Sequence, residues 1–122
     1  MRELSLSPSN SKYVNKEVAL NELLRGGGGL STATLTQVAD NAASVSLLAA
    51  NTARKGCVIV NTSTAILYVA LAATATTSAF TYRLTPFSTL ELFGDRNYTG
   101  AISGIWASDP NAGSAVITEF EV

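Results

Sequence analysis

The chain contains no histidine. That absence removes the commonest general base at neutral pH and the commonest metal ligand, so metal or proton-transfer chemistry would rest on carboxylates alone. Cysteine occurs once, as Cys57, which excludes an intrachain disulfide. Lying in the apolar run GCVIVN, it reads as a small buried hydrophobe. Charge is sparse as well. Eight Lys plus Arg against nine Asp plus Glu leave a net charge of -1, too little field to draw the chain onto nucleic acid or an anionic membrane. No apolar run approaches the roughly twenty residues of a membrane span, and the opening MRELSLSPSNSKY lacks the apolar stretch of a signal peptide. Neither nucleic acid nor membrane is expected as a partner, and synthesis in a cytoplasm is the expectation.

What is present is small and β-prone. The 122 residues suit one core, and 18 Ala, 13 Ser and 14 Thr favour flat, tightly packed strands over a solvated helical bundle. Low charge on such a surface favours association.

The run Gly26–Gly29 divides the chain, because consecutive glycines have nothing to pack and lose the most entropy on ordering. The division expected is 1–30, an arm, a short helix and a linker, followed by a β-domain over 31–122. In VNKEVALNELLRG, Asn15 is placed to cap, Glu17 lies in the first turn, apolar residues recur at three- and four-residue spacing, and Gly26 stops the helix. A helix of about ten residues is marginal alone, so its stripe needs a surface to lie on. Upstream, Leu4 and Leu6 alternate with polar residues until Pro8, which reads as an extended arm.

After the glycines, short apolar runs recur between turn signals at the spacing of a sandwich or barrel. About eight strands are expected, over 34–39, 45–49, 56–61, 66–71, 79–84, 88–93, 99–106 and 114–121. Phe80, Tyr82 and Leu84 share one face of the fifth, opposite Thr81 and Arg83; Leu90 and Leu92 form the inner face of the sixth. NTST, Asn61–Thr64, is rich in side chains that bond their own backbone and predicts a hairpin of Cys57–Val60 with Ile66–Leu71. Both arms are nearly all apolar, which places them centrally or against a neighbouring subunit.

Polar clusters are few, and each has a plain alternative. Glu119 and Glu121 read as a solvated face at the end of a strand beside outward Ile117, and their spacing is a poor fit to paired catalytic carboxylates. Glu91 with Asp95, and Asp40 with Asn41, complete the acidic groupings. GDRNYTG, Gly94–Gly100, lacks the spaced oxygen ligands of a calcium loop and reads as a connection. The glycine run has no Lys-Ser or Lys-Thr after it and follows a helix, the reverse of a phosphate cradle. Trp106 reads as a core or interface anchor, or, with Tyr98, as a sugar platform. No catalytic residue, metal ligand or cofactor is expected.

ASVSLLAANTARKGCVIVNTSTAILYVAL, YTGAISGIWAS and AVITEF, taken in order, resemble a short module of tailed-bacteriophage virion accessory proteins, the head decoration or cement proteins and short head fibres. The resemblance covers about two thirds of the chain. Within it Asn51, Arg54, Lys55 and Gly56 make a first turn, Asn61 and Ser63 a second, and Tyr98, Gly100, Gly104, Ile105 and Trp106 a penultimate strand. The resemblance implies a non-catalytic, commonly trimeric structural protein, made in a host bacterial cytoplasm and carried on the outer capsid surface. Its expected partner is the major capsid protein, docked through Leu4, Leu6, Tyr13, Val14 and Val18. Leu20, Leu23 and Leu24 are assigned either to the capsid or to self-association. A neck or tail accessory subunit is one alternative. A carbohydrate-binding sandwich that grips host surface glycan is another.

Overall fold

The computed structural model describes residues 29–122. Short runs rich in β-branched and aliphatic residues form eight strands: β1 Thr32–Ala39, β2 Val45–Leu48, β3 Gly56–Asn61, β4 Leu67–Ala70, β5 Tyr82–Leu84, β6 Thr89–Phe93, β7 Ile102–Trp106 and β8 Ser114–Glu121. A 3-10 turn, Gly94–Arg96, follows β6. The compact unit runs from Thr32 to Glu121.

All the strands pair antiparallel, in two four-stranded sheets of order β1-β8-β3-β6 and β2-β7-β4-β5. Only the link from β4 to β5 joins strands of one sheet; every other link passes from one sheet to the other. That order is a jelly roll, two Greek keys closed into a sandwich. The expected mainly-β antiparallel sandwich is thus the fold.

The two-residue period decides what each sheet contributes to the core. In β6, Leu90 and Leu92 point inward and are buried, while Thr89, Glu91 and Phe93 point outward. Register then stacks inward residues across strands, with Ile59 opposite both Leu90 and Ile117. From the other sheet, Leu67, Val69, Ile102 and Trp106 meet them, all fully buried. Each large aliphatic side chain so buried contributes about 1.5 to 3 kcal/mol.

Three expectations need correction. Cys57–Val60 and Ile66–Leu71 do not pair: β3 lies between β8 and β6, and β4 lies between β7 and β5 in the opposite sheet. NTST therefore carries the chain across the sandwich, and the side chain of Asn61 faces inward, where it holds the crossing instead of turning a hairpin. Both strands are central, as their apolar sequences required, but Val58, Val60 and Tyr68 on their outer faces are only half-buried. In the fifth strand Tyr82 and Leu84 do face the core, yet Phe80 precedes the strand, is 40% exposed and lies against Tyr68, ring centroids 4.7 Å apart. Finally, Ile117 is inward and fully buried.

Candidate functional site

Two polar networks lie inside the sandwich, one at each end. The first is built on Arg54. Asn51 shapes the link from β2 to β3: its side-chain oxygen accepts from Ala53 N–H at 3.0 Å, and its carbonyl accepts from Arg54 N–H at 3.1 Å. This tight turn sends the Arg54 side chain inward, where it is fully buried. Its Nε donates to Glu119 Oε2 at 2.7 Å, and its Nη1 donates to the carbonyls of Tyr98 and Gly100 at 2.6 and 3.0 Å. Nη2 donates to the carbonyl of Ala49. Asn51 Nδ2 donates to Glu119 and Glu121 at 3.2 and 2.7 Å, and Asn97 Nδ2 returns to the Arg54 carbonyl at 2.7 Å. The Tyr98 ring lies over Gly100, where a Cβ would come within 2.7 Å of it. One planar guanidinium thereby ties the β2–β3 link, the β6–β7 link and β8 together, a task suited to its fork of fixed donors.

The second network centres on Asn61, also fully buried. Its Nδ2 donates to the carbonyls of Ala65 and Leu84 at 2.9 and 3.0 Å, and its Oδ1 accepts from Ser63 N–H at 3.1 Å and from Trp106 Nε1 at 3.0 Å. Ser63 Oγ in turn donates to Asp40 Oδ2 at 2.8 Å, which also accepts from Ala112 N–H at 3.3 Å. Phe87 N–H donates to the Asn61 carbonyl at 2.6 Å. Four links between strands meet here, those of β1–β2, β3–β4, β5–β6 and β7–β8.

These networks absorb most of the polar residues that the sequence singles out. Glu119 is not on a solvated face; it is the counter-ion of buried Arg54, and Asn51 joins it to Glu121. Trp106 is a core residue, fully buried with its N–H bonded, so the sugar platform that needed its exposed face is lost. Asp40 is buried under Ser63, while Asn41 Oδ1 accepts from Ala43 N–H at 2.8 Å in its own turn. Asp95 lies exposed in the 3-10 turn, and Glu91 is exposed on the outer face of β6. Burial pushes the Cys57 thiol above its ordinary value of 9.0, with nearby Arg54 lowering it and Glu119 raising it again. Among the described residues no three His, Cys, Asp or Glu side chains are grouped to hold a metal ion, and no helix is long and apolar enough to cross a membrane.

Leu4, Leu6, Tyr13, Val14, Val18, Leu20, Leu23 and Leu24, with the arm and helix that carry them, lie outside the described residues. The roles of Arg54 and Asn61 as locks were missed. Their signal was present, in that a polar residue inside an otherwise apolar strand, or an Arg at its mouth, is retained only where buried partners satisfy it. Compared with family models, with curated proteins and with solved structures, the chain shows no match.

Proposed function

We propose that the protein is a non-catalytic structural component of a tailed-bacteriophage virion, a homotrimeric decoration of the outer capsid surface held by its N-terminal arm on the major capsid protein. The observation that carries this reading is where the resembling residues fall in space. Arg54, Tyr98 and Gly100 belong to the ARKG and YTG stretches, and with Glu119 of AVITEF they make up the first network. Asn61 and Ser63 of the VIVNTST stretch meet Trp106 of GIWAS in the second. Residues far apart in the sequence are thus physically dependent on one another, which supports the resemblance as a shared folded unit and not a chance likeness of short strings. Their work is to lock a jelly roll, an architecture that viral capsid proteins and lectins both use. A fold of this kind leaves recognition to its surface and appended segments, so attachment is assigned to residues 1–30.

Co-sedimentation with undecorated particles tests this. The full chain should bind at saturable stoichiometry, and changing Leu4, Leu6, Tyr13 and Val14 together to Ser should weaken attachment, each lost apolar contact being worth on the order of 1 to 2 kcal/mol. Binding by a chain lacking residues 1–25 that equals the full chain's would refute the assignment of the arm. Attachment to isolated tails but not to heads would move the protein to the neck or tail.

A further inference from the structure

The four sheet edges of the sandwich are not equally protected. An edge strand presents unpaired main-chain groups, and soluble proteins blunt such edges with charge, bulges, proline or brevity. β2 has four residues and a shift of register between Ser46 and Leu48. β5 has three, with Arg83 at its middle. β6 has five, with exposed Glu91 at its middle. β1 carries none of these devices. It is eight residues long, TATLTQVA, uncharged and free of proline, and it pairs with β8 in unbroken register from Thr32 to Ala39. Seven of its residues are exposed, Leu35 to 69%.

The ladder continues beyond Ala39 in the bond from Asp40 N–H to Gly113 O, 3.0 Å. On the two-residue period the even-numbered residues of β1 therefore bond β8, and the amides of Ala33, Leu35, Gln37 and Ala39 point away from it. On the outer face Leu35 continues a row through Thr118 and Val58, beside Val116 and Val60.

We infer that β1 is a self-association edge, and that its partner is the β1 of a second copy, antiparallel about a two-fold axis at Thr36. This inference goes beyond the capsid reading and does not depend on it. A second copy fits because it presents the same unblunted, uncharged edge, and because the chain's net charge of -1 opposes the contact little. A two-fold axis makes the contact self-complementary. The register centred on Thr36 sets Ala33 opposite Ala39 and Leu35 opposite Gln37, so all four outward residues are used and about eight main-chain hydrogen bonds form. It joins two four-stranded sheets into one of eight and brings the two rows of half-buried aliphatic residues together.

The test uses the full chain. Leu35→Pro removes an outward amide and leaves the bonds to β8 in place, and Leu35→Lys sets a charge beside the axis on each copy. Light scattering at tens of micromolar should show the mass halve in both variants, with the β-sheet circular dichroism unchanged: two copies become one, or six become three if a three-fold contact also operates. Cross-linking reads the register independently. Thr36 and its counterpart form a non-hydrogen-bonded pair with Cα atoms about 4.5 Å apart, within disulfide reach. Thr34 and its own counterpart are about 14 Å apart along the strands. Thr36→Cys should oxidise to a covalent dimer, and Thr34→Cys should not. Unchanged mass in folded Leu35→Lys, no preference for position 36, or a wild-type monomer that pairs only after residues 1–28 are removed would each overturn the inference; the last would show that the chain's own N-terminal segment covers β1.

Discussion

Replacing Arg54 with Ala should cost about 4 kcal/mol of folding stability. The guanidinium is fully buried and serves four acceptors: the carbonyls of Ala49, Tyr98 and Gly100 and the carboxylate of Glu119. Each buried acceptor left without a donor costs about 1 to 3 kcal/mol. Glu119 is 17% exposed, Tyr98 and Gly100 are half-buried and Ala49 is exposed, so water recovers part of each loss and the four acceptors together come to the lower end of that range. Against a total of roughly 5 to 15 kcal/mol, such a loss leaves the domain marginal. Guanidinium chloride unfolding, followed by circular dichroism, measures it. Companion variants separate ion pair from carbonyl clamp. Glu119→Gln keeps an acceptor for Nε but leaves the buried guanidinium without its counter-charge and should cost about 3 kcal/mol, whereas Arg54→Met with Glu119→Leu abolishes both charges yet strands the same carbonyls. That double variant should still lose about 2 to 3 kcal/mol. If it matches the wild type, the clamp on the β6–β7 link contributes nothing and the reasoning fails. A loss below about 1 kcal/mol in Arg54→Ala would refute it more simply.

Asn61→Ala should destabilise by about 3 kcal/mol, because the Trp106 N–H and the carbonyls of Ala65 and Leu84 lose their partner, and the tryptophan emission should shift as water enters. Ile59→Asp or Leu84→Asp should unfold the domain, while Asp95→Ala on the exposed 3-10 turn should move the melting temperature by less than about 2 °C. A folded Ile59→Asp variant would contradict the assigned core. Cys57 gives a pH dependence. Its folded thiol titrates above its unfolded value, so the native state holds the proton longer, and the stability this brings is fully present below the ordinary thiol value of 9.0 and lost as pH rises from there through the raised value of the folded thiol. Denaturation curves should weaken above that pH in the wild type, and Cys57→Ala should flatten the change.

The eight strands were legible because burial imposes its period on the sequence wherever one face meets the core. Leu90 and Leu92 alternate with Thr89, Glu91 and Phe93, and no other pattern places both leucines inward. Strand ends were less so. The fifth strand was expected from residue 79 and begins at Tyr82, because Thr76 Oγ1 accepts from the N–H groups of Ser78 and Ala79 and holds the preceding residues in turns. Glu119 was misread for a different reason. Its alternation with Glu121 fits a solvated face equally well, and only the arrival of Arg54, 65 residues away, makes it an interior counter-ion.

The same limit explains the crossing at NTST. Asx-type bonding within four polar residues is local, and it is satisfied alike by a hairpin and by an arch between sheets; Asn61 Oδ1 accepts from Ser63 N–H as it would in either. What separates the two is the remaining bonding capacity of Asn61. A hairpin leaves Nδ2 to solvent, whereas here it reaches Leu84 and Oδ1 reaches Trp106, contacts at separations of 23 and 45 residues. A side chain that must meet four partners inside an apolar core costs about 1 to 3 kcal/mol for each one missed, so Asn61 in VIVN belongs where those partners converge. They converge only at the end of a sandwich where β5 and β7 also finish, which places β3 and β4 in opposite sheets.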